Sequence, residues 1–403
     1  MRRQKGDEPG GLFAALLRAP DAPMPWDEIE SRDWWRAMAA CPQDPVYHAE
    51  GDVATHTRMV VDELRALPEW QELEPEAKGV LLLAALLHDA GKPDTTREEP
   101  DGRITSNGHS SRGAILARRL LWEEGDVPFA RREAVCALVR WHQRPFYLIE
   151  SDDSRRAACR IAETARCDRL ALLARADARG RRIATDGETR GLGRALLNID
   201  LFSELCAEAG CLSAPFPFPS DHSRFLYYRT PGRDPDYAAH DDTRGEMLLM
   251  AGLPGAGKDT WLRRCRPDLP VVSLDAIRTE LKISPRDNQE AVAARARERA
   301  REYLRRGEPF AWNATNVSRE LRAMTINLAA EYRARVRIVY VEAPARLLRE
   351  QNRLRADTAV VPDSAMGRML RRWEVPDRTE AHTIDYVVGG EAVSEGSANV
   401  TRS

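Results

Sequence analysis

Residues 245–265 read GEMLLMAGLPGAGKDTWLRRC, and this stretch decides the fold of the C-terminal half. The apolar run up to Ala251 has the length of a buried strand, and TWLRRC begins a helix. Between them, Gly252, Gly255, Gly257 and Lys258 have the spacing of a glycine-rich phosphate loop. Glycines let the chain curl so that successive N–H groups and the helix N-terminus face a triphosphate, while the lysine neutralises the terminal phosphates. A strand before and a helix after separate such a loop from a chance glycine turn. The expected ligands are ATP or another nucleoside triphosphate with Mg2+. One position departs from the usual pattern. The Ser or Thr that follows the lysine and binds magnesium is Asp259 here, with Thr260 one place later. Either the carboxylate takes the metal, directly or through water, or the Thr260 hydroxyl substitutes.

Downstream, PVVSLDA, PFAWNATN, VRIVYVEAP and IDYVVGG are short β-branched runs separated by amphipathic helices, which predicts a parallel sheet with helices on both faces. Upstream, from about residue 25 to 210, the pattern is helical. EAKGVLLLAALLHDA, SRGAILARRLLWEE, RREAVCALVRWHQ and RIAETARCDRLALLARADARGR each carry apolar residues at three- and four-residue spacing. The expected architecture is therefore multidomain: an all-α helical domain over 25–210, a Pro-, Gly- and Asp-rich connecting segment over 211–244, and an α/β P-loop domain over 245–390.

In the α/β half, Asp275 falls at the carboxyl end of the second strand, where ligands of open α/β sheets gather, and Arg278 lies one helical turn on. The Asp could accept the proton of an attacking hydroxyl and the Arg could grip an acceptor phosphate; the alternative is a surface ion pair. Asn313, Thr315 and Asn316 follow the third strand and suit either acceptor binding or helix capping. Arg349 and Arg353 share a helix face, as lid arginines or as a solvated surface. The set GLPGAGKDT, DAIR, NATN and an Arg-bearing segment ending in VVP resembles the P-loop 5'-hydroxyl polynucleotide kinases over about 140 residues. That resemblance implies that Lys258 holds the donor phosphates, Asp275 is the general base, Arg278 binds the acceptor phosphate, and Arg349 and Arg353 close as a lid.

Five of the eight histidines, His48, His56, His88, His109 and His142, fall in one helical stretch of 95 residues. His88 and Asp89 end an apolar helix and are followed by Ala90, Gly91 and Lys92. Two ligands side by side, completed from neighbouring helices and by Asp177, suit one or two divalent metals. The stations HAEGDVATHT, LLHDAGKP, GHSSRGA and RADARGR resemble the HD-domain phosphohydrolases, most closely the branch found in CCA-adding tRNA nucleotidyltransferases. The resemblance implies His56, His88, Asp89 and Asp177 as primary ligands of a divalent transition metal such as Mn, Ni, Co, Fe, Cu or Zn. His109 and His142 would take a second metal or the substrate phosphate, and His48 would orient a ligand or serve structure. In such a site a water of lowered pKa attacks a phosphoester. Lys92, one turn past His88, is either a cation for the phosphate or a solvent-facing helix-end lysine.

Composition sets the outer limits. Of 61 Lys plus Arg only five are Lys, and 63 Asp plus Glu leave a net charge of -2, which argues against bulk electrostatic binding to nucleic acid or an anionic membrane. Lys92 and Lys258 are two of those five. No long uncharged apolar run and no signal-like N-terminus is seen, and seven cysteines without a CxxC pair suggest reduced thiols, so the expected location is cytoplasmic with no membrane association. The combined architecture resembles bacterial fusions of an HD phosphohydrolase with a polynucleotide kinase. It implies an RNA end-healing enzyme acting on RNA or DNA ends: a kinase for 5'-OH ends and a phosphatase for 2'-, 3'- or 2',3'-cyclic phosphate ends, with a functional link to a ligase. Two rivals are a nucleotide phosphohydrolase fused to a small-molecule kinase, and an HD hydrolase with a regulatory ATP-binding module.

Overall fold

The computed structural model describes residues 11–46, 48–124, 127–182, 188–284, 287–354 and 360–393. The chain divides between Pro217 and Phe218 into two compact units.

The first unit is helical: α1 (Leu12–Arg18), α2 (Trp26–Glu30), α3 (Asp33–Ala39), α4 (Val53–Ala66), α5 (Pro68–Glu72), α6 (Pro75–Leu87), α7 (His109–Glu124), α8 (Phe129–Trp141), α9 (Ser154–Ala162), α10 (Cys167–Arg179) and α11 (Glu188–Glu208), with a small β1–β2 hairpin (Arg97–Glu98, Ile104–Thr105). Its centre is α6. The sequence GVLLLAALL has no polar face, and every residue from Ala77 to Leu87 is buried. A helix apolar all round must be covered on every side, and α1, α4, α8 and α10 pack around it. Pro75 starts α6 where a missing N–H costs nothing. Asp52 caps α4, its carboxylate accepting from the Thr55 N–H at 2.9 Å. One expectation is corrected. The unit begins at least as early as α1, before residue 25, because the Leu12–Leu17 face is buried against α6. The stretch RIAETARCDRLALLARADARGR, helical in pattern, spans the end of α9 and the whole of α10, with a break at residues 163–166.

The second unit holds α12 (Asp221–Arg229), β3 (Glu246–Ala251), α13 (Lys258–Cys265), β4 (Val271–Ser273), α14 (Leu274–Leu281), α15 (Glu290–Arg306), β5 (Phe310–Asn313), α16 (Arg319–Glu331), β6 (Arg335–Glu342), α17 (Ala345–Arg353), α18 (Asp363–Leu370), β7 (Thr383–Val388) and β8 (Glu391–Val393). The sheet order is β4-β5-β3-β6-β7-β8. The first five are parallel and β8 is antiparallel to β7 at the edge. The chain leaves β3 towards β4 and β5 on one side, then returns to β6 on the other. The loop after β3 therefore sits at the switch point of the sheet, at the carboxyl ends of the strands. The segment 211–244 is not simply a connector. Its part from Phe218 onwards belongs to this unit, and Arg224 of α12, 2% exposed, donates to the carbonyls of Arg378 and His382. Among the described residues no helix is long and apolar enough to cross a membrane.

Candidate active sites

In the helical unit, four helices deliver His56 (α4), His88 (after α6), His109 (start of α7) and His142 (after α8), and α10 delivers Asp177. With Asp89 all are buried. The tautomers follow from the partners. His88 Nδ1 donates to Ala85 O at 2.8 Å, His109 Nδ1 to Ser106 O at 2.7 Å and His142 Nδ1 to Val139 O at 2.8 Å. A carbonyl only accepts, so each Nδ1 carries the proton and each Nε2 of the neutral ring keeps its lone pair. His56 Nδ1 lies 3.0 Å from Glu50 Oε1 and 3.3 Å from Gly180 O, so the neutral ring with its proton on Nδ1 offers Nε2 as a ligand, while burial, which lowers its pKa, is outweighed by Asp177 and Glu50, which raise it.

These bare nitrogens face other acceptors. His109 Nε2 and His142 Nε2 are 3.3 Å apart. His56 Nε2 is 3.1 Å from Asp177 Oδ1 and 3.8 Å from Asp89 Oδ2. His88 Nε2 and Asp89 Oδ1 are buried without a hydrogen bond of adequate geometry. Lone pairs aimed at lone pairs in a buried space repel unless a cation lies among them, so the donor set fits a divalent metal, and an N/O set suits transition metals. Asp89 divides its two oxygens: Oδ2 faces His88 at 3.2 Å, while Oδ1 faces His109 at 3.3 Å and His142 at 3.6 Å. The ligands thus form two adjoining groups, His56–His88–Asp177 and Asp89–His109–His142.

Charge balance is local. Burial alone would push the Asp89 carboxyl up, but Lys92 and His88 beside it outweigh burial and hold it well below the usual carboxylate range. Burial likewise opposes ionisation of Asp177, which Arg181 and His56 overcome. His142 is driven down to about 3, by burial first and by the neighbouring His88 second. Lys92 is not a solvent-facing helix-end residue. It is 7% exposed, begins a 3-10 turn, and its Nζ lies 2.7 Å from Asp89 Oδ2 and donates to Gln43 Oε1 at 2.5 Å. His48 Nδ1 lies 2.8 Å from Glu50 Oε1, and His48, Glu50 and His56 form a third group of close ligand atoms that meets the groups around Asp89 only through His56. Three residues here escaped the sequence reading: Glu50, which bonds both His48 and His56; Gln43; and Arg181, whose Nη2 is 2.7 Å from Asp177 Oδ2. Glu50 lies inside HAEGDVATHT, two residues from one histidine and six from another, and that spacing was the available signal.

In the α/β unit the loop after β3 is held tightly. A Cβ on Gly252, whose φ is +140°, would lie 2.1 Å from Val341 O, so only glycine fits. Gly255 and Gly257 also have positive φ, and Gly257 precedes α13. Lys258 Nζ donates to the carbonyls of Gly252 at 2.9 Å and Leu253 at 3.0 Å, so the cation spans the mouth of the loop. A glycine-lined turn with a buried ammonium across it fits a polyphosphate chain.

Asn313, Thr315 and Asn316 serve this loop rather than capping the next helix, whose cap is Ser318. Asn313 Nδ2 donates to Asp259 Oδ1 at 2.6 Å, Thr315 O accepts from the Gly252 N–H at 2.9 Å, and Asn316 Nδ2 donates to Met250 O at 2.7 Å. Thr260 is exposed, its hydroxyl accepting from Arg263 at 3.4 Å. Asp275 is exposed in the first turn of α14 at the end of β4 and pairs with Arg278, whose Nε donates to Gln289 Oε1 at 2.7 Å. Arg349 and Arg353 lie on exposed positions of α17.

Comparison with known proteins agrees with this division. Residues 52–181 match the HD domain model and residues 247–376 match an AAA domain model. The chain is 30% identical over 143 residues to the Multifunctional CCA protein of Thioalkalivibrio sulfidiphilus (strain HL-EbGR7), a match covering 35% of this chain and 31% of that protein. The chain thus spans about a third of the length of the curated relative it matches. It carries a helical HD domain followed by a P-loop kinase-like domain built on a parallel five-strand sheet.

Proposed function

We propose that this chain is a bifunctional nucleic-acid end-healing enzyme. Its P-loop unit phosphorylates 5'-OH ends with ATP, and its HD unit removes phosphate from 2'-, 3'- or 2',3'-cyclic phosphate ends, in RNA repair ahead of a ligase. The observation that carries the reading is the pairing, in one chain, of a buried nest of bare imidazoles around Asp89 with a lysine-spanned glycine cradle. One builds a phosphohydrolase, the other a phosphotransferase.

In the HD unit, His56, His88, Asp89 and Asp177 would hold a divalent metal, with His109 and His142 on the other side of Asp89. The metal supplies Lewis acidity and a water nucleophile available at neutral pH. Lys92 and Arg181 offset the carboxylate charge, and Lys92 turns from Asp89 to a phosphate oxygen of the substrate. In the P-loop unit, Lys258 and the loop amides hold the donor phosphates. Asp275 accepts the proton of the acceptor hydroxyl, Arg278 moves from Asp275 to an acceptor phosphate, and Arg349 and Arg353 stabilise charge on the transferring group.

The test incubates purified protein with labelled ATP and a 5'-OH oligoribonucleotide, and separately with oligomers ending in 2',3'-cyclic or 2'-phosphate. Lys258→Ala lowers label transfer by about a hundredfold or more while sparing phosphate release. Asp89→Ala does the reverse. Oligomers left untouched while free nucleosides or mononucleotides react would sink the end-healing reading.

A further inference from the structure

The residue after the loop lysine is a carboxylate where a neutral hydroxyl is usual, and the structure shows how it is held. Asp259 is exposed in the first turn of α13, next to Lys258. Asn313, 8% exposed at the carboxyl end of β5, donates to Asp259 Oδ1 at 2.6 Å and ties the side chain across the base of the phosphate loop. Oδ2 has no role in that bond. Thr260, the alternative oxygen, is engaged with Arg263 further along its own helix.

A carboxylate at this position differs from a hydroxyl in sign. Towards a bare triphosphate it is a like charge at close range, and it partly cancels the attraction of Lys258. Towards a triphosphate that carries a divalent cation it is a hard, anionic oxygen ligand of the kind Mg2+ prefers. The same side chain therefore opposes one form of the nucleotide and favours the other. Asn313 strengthens the contrast, because a tethered carboxylate cannot swing away from the phosphates when the cation is missing.

We propose that Asp259, positioned by Asn313, is the protein ligand of the nucleotide's divalent cation and makes the site discriminate the metal–nucleotide complex from metal-free nucleotide. The inference rests on the reading of this unit as a nucleotide site. By linkage, metal tightens nucleotide binding by the same factor as nucleotide tightens metal binding, here by more than in a loop with a neutral hydroxyl.

The experiment measures equilibrium binding of a non-hydrolysable ATP analogue to the full chain, with Mg2+ and with a chelator, using Lys258→Ala as the blank. Asp259→Asn removes the charge and keeps the shape. It is expected to tighten metal-free binding about tenfold and to weaken binding of the Mg2+ complex about tenfold, so that the Mg2+ advantage shrinks by about a hundredfold. Asn313→Ala keeps the charge but frees it, so the Mg2+ advantage falls without that gain in metal-free binding. Melting curves of the exposed-site variant Asp259→Asn report that the fold is intact. An Asp259→Asn protein with the metal-free affinity and Mg2+ advantage of the wild type overturns the inference alone. Absence of any Lys258-dependent binding overturns it together with the nucleotide reading.

Discussion

Glu50 shows what a single carboxylate does without being a ligand of the central groups. One of its oxygens meets both His48 at 2.8 Å and His56 at 3.0 Å, and the other accepts from the Arg182 N–H at 3.0 Å. Burial opposes its ionisation, but the histidines and the Arg182 amide hold its carboxyl far below the ordinary range. It fixes the His56 ring so that Nε2 faces Asp177 and Asp89. Partners of this kind are worth about 10–100-fold in metal affinity. We predict that Glu50→Ala weakens Co2+ or Mn2+ binding to the HD unit by that factor, and that Glu50→Gln recovers part of the loss. Calorimetric titration checks it, and an unchanged affinity in both variants would remove Glu50 from the site. At this scale the sequence was informative where residue type and spacing coincide with a motif, as for His88, Asp89 and Lys258. It was blind to Gln43 and Arg181, because an amide and an arginine in a chain with so many arginines carry no signal until the fold brings them to Lys92 and Asp177. For Asn313, Thr315 and Asn316 the polar cluster was legible, but its use to brace the loop after β3 depends on pairing between strands far apart in sequence.

Among elements, the decisive contact is the approach of α7 to the turn after α6. A Cβ on Gly91 would sit 2.3 Å from His109 O and 2.4 Å from Gly113 N. Glycine in HDAGK is therefore what lets His109 reach Asp89. Gly91→Ala forces α7 outward, and we expect a loss of about 1–3 kcal/mol in stability of the HD unit together with lower phosphate release. Thermal melts and the hydrolase assay on one preparation check both. In the α/β unit, α16 is locked to the loop before β7 by Arg322, 1% exposed, whose Nε and Nη2 bond both oxygens of Glu380 at 2.7 and 2.9 Å. Removing one partner of such a pair strands a buried charge, so Arg322→Ala is predicted to cost about 3–5 kcal/mol. A melting temperature within a degree or so of wild type would refute it. All five parallel strands were legible because short apolar runs bounded by turn residues, β-branched in β4, β6 and β7, are a local signal. α12 was not, since its residues DHSRFLYYR lie in a Pro- and Asp-rich stretch and are held by Arg224 and His222 reaching residues some 150 positions later. The break between α9 and α10 carries no local signal either, because residues 163–166 interrupt no apolar spacing.

For the molecule as a whole, two chemistries on two compact units predict separable losses, and the α/β unit carries an acid sensitivity of its own. His382 is buried, stacked 4.0 Å from Phe225 and bonded to His222 Nδ1 at 3.1 Å, and its Nδ1 accepts from the Val336 N–H. Burial, with Arg335 and His222 nearby, drives it down to about 3 from the ordinary 6.5. The unfolded chain takes up this proton below about 6.5 whereas the folded unit refuses it until about 3. The stabilisation is thus complete above about 6.5 and is lost progressively as pH falls from there. Melting of the α/β unit between pH 7.5 and 5 should show that decline, and His382→Asn should flatten it. The net charge of -2 also has a reading at this scale. If the substrate is a strand end, it is gripped by a few local groups, and binding should depend only shallowly on salt.

The imidazole anchors carry one more implication. His88 and His142 stand at the C-terminal ends of α6 and α8, and the carbonyls they bond, Ala85 and Val139, belong to the last turns of those helices. Such turns ordinarily fray, because their final carbonyls lack partners. Here the rings that offer lone pairs to the metal also fasten the helix ends, so occupancy and end-fraying are one equilibrium. Metal loading should slow amide hydrogen exchange in the turns at Leu86–Ala90 and Arg140–Arg144, and leave the middle of α6 unchanged.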